Sequence, residues 1–281
     1  MVRLRQRFGE AGSRTLVLKL GGELLEQPQD VRQIARAIAA LAERVRLVVV
    51  HGGGKEIDRA LAAAGIDKTQ VDGIRVTDAT TLDVVVSVLA GAINTRLVAA
   101  VRAAGTRPVG LTGADAGVVS LRKAPPLATA SGQKVELGLV GSPVANGAPR
   151  LLADLLARGY VPIVACVGAS KDGELLNVNA DTLAAHLAVE LGAGRLIIAG
   201  GTAGVLGESG RTIPQLRARD TARLIKAGTA SAGMVAKLQA CRDAVRGGVR
   251  DVLIVNGREL NPADLLGRSG RAAATFTQVT A

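Results

Sequence analysis

Three kinds of group in this chain could act on a charged small molecule: cations beside glycines, glycine runs between apolar segments, and an Asn/Asp cluster at a helix entrance. The cations are Lys19, just ahead of Gly21-Gly22, Arg75, just after Gly73, and Lys237 in a late apolar segment. The glycine runs are Gly52-Gly53-Gly54, behind Val48-Val49-Val50-His51, and Gly200-Gly201-Thr202-Ala203-Gly204. Glycine removes the Cβ that would keep a ligand off the backbone. A helix opening directly after such a run presents unpaired amides to phosphate or carboxylate. The cluster is Asn177-Val178-Asn179-Ala180-Asp181, and three such side chains in five residues exceed what one helix cap needs. Each feature alone has a plainer reading, a tight turn or a solvated lysine. Two glycine loops after apolar strands, one carrying a cation, favour a ligand between them.

Several chemistries are excluded at once. The chain has no G-x-x-x-x-G-K-[ST] and no G-x-G-x-x-G after a strand, so it is neither a P-loop NTPase nor a carrier of the dinucleotide fingerprint. His51-Gly52-Gly53-Gly54 imitates the oxyanion loop of lipases, but the accompanying G-x-S-x-G elbow is absent. His51 and His186 are the only histidines and neither has metal-ligand spacing, so no metal held by the protein alone is expected. What remains is cations, amides and no evident base. That set suits phosphoryl transfer, where the protein positions reactants and neutralises charge. An acceptor that is already an anion needs no base, but cations must separate it from the phosphate, since like charges at about 4 Å cost several kcal/mol in a partly buried site.

The elements that must position these groups alternate. Apolar runs at 15–20, 46–50, 109–111, 161–167, 195–199 and 251–255 read as strands, and helical periods follow from Pro28, after Gly54, over 80–104, 150–158, from 182, over 218–227, over 233–246 and near 262–266. Such alternation predicts a mostly parallel sheet covered by helices on both faces. Residues 117–140 alternate like antiparallel hairpins, with turns near Pro125-Pro126 and Ser131-Gly132, and could form a flap at the crevice. Residues 1–14 read as a short helix or a loose arm.

With 281 residues, 48% of them hydrophobic, the chain can bury a large core. No apolar stretch reads as approaching a membrane span of roughly 20 residues and no signal peptide is evident, so a soluble, cytoplasmic protein without membrane contact is expected. The net charge of +11 is spread out apart from Arg3, Arg5 and Arg7, and Tyr160, Phe8 and Phe276 make no stacking platform. Anionic metabolites are therefore a better match than nucleic acid. Cys166 and Cys241 stand apart and read as buried thiols.

Six short motifs in order resemble the amino-acid kinase family: KLGG at 19–22, VVVHGGG at 48–54, DGIRVTD at 72–78, GL-x-G-x-D at 110–115, NVNADT at 177–182 and AGMVAKL at 232–238. Within it, they are most similar to the branch that phosphorylates the side-chain carboxylate of N-acetyl-L-glutamate in arginine synthesis. The resemblance implies an α/β fold, a three-layer αβα sandwich on a mainly parallel open sheet. Residues 1–165 would form the acceptor-binding lobe, also the dimer contact, and residues 166–281 the ATP-binding lobe. It implies ATP with Mg2+ as the donor and a homodimer. Lys19 and Lys237 would stabilise the transition state and Asp181 would hold them. The amides of Gly21, Gly22, Gly53 and Gly54 would bind the acceptor carboxylate and the phosphoryl group, while Arg75 and Asn177 would grip the α-carboxylate. Gly200, Gly201, Thr202, Ala203, Gly204 and Val205, with Thr229, Ala230 and Ser231, would surround the nucleotide.

The chain departs from the family pattern where Gly200-Gly201-Thr202 replaces a Thr/Ser-Asp-Val run, where Asn94-Thr95 replaces Asn-Lys, at Gly141-Ser142, and at the 270–275 ending. The full N-terminal helix of arginine-inhibited hexamers is also absent, which implies a dimer without strong arginine feedback. Three alternatives stay open: a kinase for N-succinylglutamate, one for glutamate or aminoadipate on an acidic carrier protein, and a non-catalytic metabolite sensor.

Overall fold

The computed structural model describes residues 14–71, 73–128, 134–145, 147, 149–207, 210–226, 232–267 and 276–281. The arm at 1–13, with Arg3, Arg5 and Arg7, the Ser131-Gly132 turn and the 270–275 ending lie outside them.

Eight strands make the main sheet: β1 (Thr15–Leu20), β2 (Arg46–His51), β3 (Pro108–Thr112), β4 (Val161–Ala165), β5 (Arg195–Gly200), β6 (Gln215–Arg217), β7 (Asp251–Asn256) and β8 (Phe276–Thr280). Their order is β6-β8-β7-β5-β1-β2-β4-β3. All pairings are parallel except that of β7 with β8. The central strands are rich in Val, Ile and Leu and buried along almost their whole length, as strands covered on both faces must be.

The helices are α1 (Pro28–Ala42), α2 (Gly54–Ala63), α3 (Ala79–Ala103), α4 (Arg150–Ala157), α5 (Ala180–Glu190), α6 (Thr221–Lys226), α7 (Ala232–Arg246) and α8 (Pro262–Leu266). Right-handed crossovers put α1, α2 and α3 on one face, because the chain there moves from β1 toward β3, and α4, α5 and α7 on the other, where it moves back toward β7. The chain is thus the expected αβα sandwich. The direction reverses between β1 and β5, and an open α/β sheet binds ligands outside the carboxyl ends of its strands at such a switch.

A second sheet has four strands, ordered Leu175–Asn177, Val167–Ser170, Ser120–Lys123 and Gly141–Val144, of which only Ser120–Lys123 belongs to the expected flap; within that region Leu127–Ala128 also pairs antiparallel with Lys134–Val135 as a separate ribbon. The strand expected over 161–167 is in fact two, since the chain breaks at Cys166 and passes from the main sheet into this one.

The long helix α3 differs from expectation in two ways. Its residues Ser87–Ile93 form a π segment. With 25 residues, including an 18-residue stretch of mean hydropathy 1.9, it is also long and apolar enough to cross a membrane by length and composition, contrary to the expectation from sequence. Its buried side chains Val85, Leu89, Ile93, Leu97 and Val101 pack into the protein core, and about 33% of the apolar stretch is buried. The segment expected as helix from 218 begins with a 3-10 turn, Ala218–Asp220.

Candidate active site

The two N-terminal glycine loops touch. Gly21 N–H donates to Ala199 O at 2.9 Å and Gly52 N–H to Leu20 O at 3.1 Å, so both loops leave the sheet in register. A Cβ on Gly22 would stand 2.6 Å from Gly53 Cα and 2.8 Å from Gly53 N, so only glycine permits this approach. One expected donor is thereby spent, because the Gly21 amide completes the sheet. Gly22 opens a 3-10 turn and Gly54 opens α2, which leaves the amides of Gly22, Gly53 and Gly54 at the loop junction.

This junction forms one wall of a cleft of about 200 Å3, lined also by Lys19, Glu23, Arg75, Asn177 and Asp181. The structure thus brings together every residue expected on the acceptor side. Of the Asn/Asp cluster, Asn179 is the helix cap, accepting from the amides of Asp181 at 2.9 Å and Thr182 at 3.1 Å. That frees the other two. Asn177 donates from Nδ2 to Thr77 Oγ1 at 3.3 Å, and Asp181 sits in the first turn of α5, where a negative charge suits the helix dipole.

Asp181 holds both lysines. Lys19 Nζ lies 2.9 Å from Oδ1, with both side chains only 6% exposed. Lys237 Nζ lies 3.9 Å from Oδ2 and is 16% exposed. Burial opposes charge on Lys19, yet the attraction and hydrogen bond of Asp181, with the charge of Glu23, outweigh it and raise its pKa above the usual lysine value. Lys237 goes the other way: burial and the neighbouring Lys19 lower its pKa, and the carboxylates offset this only in part. The pair is two ammonium groups that crowd each other around one carboxylate.

Arg75 is buried and half satisfied. Its Nη2 donates to Asp58 Oδ1, while its buried Nη1 has no partner. Lys68 Nζ donates to the other oxygen of Asp58 at 2.6 Å. Although burial disfavours its charge, these hydrogen bonds keep the Asp58 pKa below the ordinary carboxylate value.

Beneath the loops lies a network that the sequence reading did not anticipate. Asn94 Nδ2 donates to His51 Nε2 at 3.0 Å and to Ile163 O at 3.0 Å. His51 Nδ1 faces Gly52 O at 3.2 Å and is therefore the protonated nitrogen. The Cys166 thiol donates to His51 O. Burial pushes the His51 pKa down to about 4, so the ring is a neutral strut. The π segment of α3 precedes Asn94, and its Leu89 and Ile93 fill the space where a Gly53 side chain would be.

On the β5 side, Gly201 and Thr202 are exposed and Ala203 is half-buried. Val205 packs into the core, and Gly204, at φ 150°, lies against Thr277. Thr277 Oγ1 accepts from Val205 N at 2.8 Å and donates to Ile213 O at 2.7 Å, so β8 fixes the loop's shape. Thr229, Ala230 and Ser231 lie outside the described residues.

A mainly parallel sheet whose switch point borders the first of two touching amide-lined loops, with a carboxylate holding two ammonium groups beside them, is the arrangement a phosphotransferase needs. The chain belongs to the amino acid kinase family, whose model matches residues 14–256. It is 44% identical over 257 residues to an acetylglutamate kinase of Sorangium cellulosum, covering 89% of each chain. It is 40% identical to the acetylglutamate kinase of Novosphingobium aromaticivorans, covering 87% of this chain and 84% of that one. Among solved structures it resembles the N-acetylglutamate synthase of Neisseria gonorrhoeae in complex with coenzyme A and N-acetyl-glutamate, with a TM-score of 0.79 and 25% identity. The whole chain is matched there, but it spans only 62% of that synthase. The carbamate kinase of Giardia lamblia bound to AMP-PNP shares the fold, with a TM-score of 0.67 and 15% identity, over 96% of this chain and 99% of that one.

Proposed function

We infer that this chain is an acetylglutamate kinase, which transfers the terminal phosphoryl group of ATP to the side-chain carboxylate of N-acetyl-L-glutamate. The observation that carries this reading is the Lys19–Asp181–Lys237 array, buried at the edge of a cleft whose other wall is glycine amides.

The acceptor carboxylate is ionised at neutral pH and attacks phosphorus directly, so an O–P bond forms to the acceptor while the bond to the β-phosphate oxygen breaks and ADP departs. No proton moves, so the step requires no base. The barrier lies in bringing anion to anion. Lys19 and the amides of Gly22, Gly53 and Gly54 receive the acceptor carboxylate and the travelling phosphoryl group. Lys237 meets the charge developing on the donor side, and Asp181 keeps the two ammonium groups apart and aimed. Arg75 turns its unpartnered Nη1 to the α-carboxylate, with Asn177 beside it. A lysine there would offer no paired donors.

In this reading residues 1–165 hold the acceptor and 166–281 the nucleotide, with Asn177 and Asp181 reaching across. Gly200 to Val205 and the 229–231 segment border the nucleotide. When bound with ATP, Mg2+ would neutralise charge on the phosphate oxygens. Such a cation keeps several of its waters and binds through phosphates and at most one or two carboxylates. We place the enzyme in the cytoplasm as a homodimer joined through α3.

The test is an acceptor screen with ATP and hydroxylamine trapping of the acyl phosphate. N-acetyl-L-glutamate should give the hydroxamate in preference to N-succinylglutamate and to a carrier protein bearing glutamate. Preference for another acceptor would overturn the substrate, and no turnover with any of them would leave a sensor.

A further inference from the structure

The cleft is suited to two anions, yet a third already stands in it. Glu23, directly after Gly21-Gly22, lines the cleft, and its Oε1 accepts a hydrogen bond from Gly201 N–H at 2.9 Å. The acceptor loop of β1 is thus tied to the nucleotide-side loop of β5 by a carboxylate. A Cβ on Gly200 would lie 3.3 Å from both Glu23 Oε1 and Lys237 Cε, so the carboxylate and the lysine stem flank the same glycine. A Cβ on Gly21 would collide with both carboxylate oxygens at 2.4 Å, so the side chain folds back over its own loop toward the donor side. Its charge acts on Lys19 and Lys237 alike.

The hydrogen bond to Gly201 needs an acceptor atom there but not a charge, since an amide oxygen would serve. Charge has a consequence of its own. A bare polyphosphate reaching for Lys237 meets a carboxylate beside it, and in a partly buried site that repulsion is weakly screened. Once a divalent cation sits on the phosphate oxygens, the same carboxylate attracts, directly or through a metal-bound water. Only Glu23 and Asp181 line the cleft with carboxylates among the described residues, and both oxygens of Asp181 face lysines. That leaves Glu23.

We propose that Glu23 is the residue that makes donor binding depend on the divalent cation, by facing the metal of the metal–nucleotide complex and disfavouring the metal-free nucleotide. This rests on reading the cleft as a kinase site and adds a selectivity residue to it. The test is calorimetric titration of the full chain with ADP, in excess MgCl2 and in EDTA, for wild type and Glu23→Gln, which keeps an oxygen for Gly201 N–H. Wild type should bind ADP much more tightly with Mg2+. In Glu23→Gln the ratio of the two dissociation constants should shrink at least tenfold, with metal-free ADP bound more tightly than by wild type. An unchanged ratio, or metal-free ADP bound no more tightly than by wild type, overturns the proposal while leaving the kinase reading intact. No ADP binding by wild type under either condition overturns both. Glu23→Ala repeats the comparison should the glutamine variant fail to fold.

Discussion

Replacing Asp181 by asparagine preserves size and removes one charge, and on that charge two cations depend. Lys19 is almost fully buried at 2.9 Å from it, whereas Lys237 is more exposed and lies at 3.9 Å. At an effective dielectric near 20, charges about 3 Å apart attract by roughly 5 kcal/mol, much of which offsets the cost of taking them out of water. Deleting one partner forfeits the attraction and keeps the cost. Asp181→Asn should therefore destabilise the fold by about 3–5 kcal/mol. Lys19→Met alone strands Asp181 with only Lys237, and the double variant should recover about 2 kcal/mol relative to the sum of the singles, as coupled neighbours do. Urea unfolding of the four proteins at pH 7.5, with unchanged m-values, measures this coupling. A coupling below about 0.5 kcal/mol, the size of an exposed pair, would mean that Lys19 is solvated and that the array is not a buried device.

If Lys237 strengthens its contact only in the transition state, Lys237→Ala should lower kcat by about a hundredfold or more and change KM for the acceptor little, as steady-state kinetics would show. Arg75→Ala removes a charge-assisted contact worth about 1.5–3 kcal/mol, so KM for N-acetyl-L-glutamate should rise roughly 10- to 100-fold with kcat largely kept; KM-only effects from both variants would mean that the lysine role is misassigned. His51 and His186 both have pKa values lowered to about 4 by burial, so the unfolded chain binds more protons than the native one as pH falls below 6.5. Stability should be level from pH 8 to 6.5 and then decline toward pH 4, with the fully buried His51 contributing about 3 kcal/mol; Asp58 and Asp78, whose pKa values are depressed, add losses only around and below their ordinary 3.8. A flat unfolding free energy between pH 6.5 and 4 would refute this assignment.

The parts legible in the sequence were those with a period or a composition. Valine-rich strands, helices with a stripe, and glycines at strand ends gave the sandwich and the meeting of the two loops, because each is dictated locally. Lys19 and Asp181 could be singled out because a charge beside buried strand or at a crowded helix entrance is expensive unless it is used. The π segment Ser87–Ile93 was not visible, since a single widened turn leaves the spacing of apolar residues nearly helical. Nor were the supports of the site. Asn94 and His51 meet 43 residues apart, Arg75 and Asp58 17 apart, and Val205 and Thr277 72 apart. A polar side chain whose partner is a distant backbone group or another polar side chain leaves no period to find.

Asp58 shows why such supports matter. A guanidinium that is fully satisfied by the protein cannot bind a ligand, and one with no internal partner would not hold its place or tolerate burial. Here Asp58, itself held by Lys68, takes one terminal nitrogen of Arg75, and the other is left in a buried position without a partner. A buried donor without a protein partner is costly unless another acceptor reaches it. Under the proposed function that cost would be recovered by the α-carboxylate of the acceptor, and the Asp58–Arg75 pair would then select for an anion with a second carboxyl group.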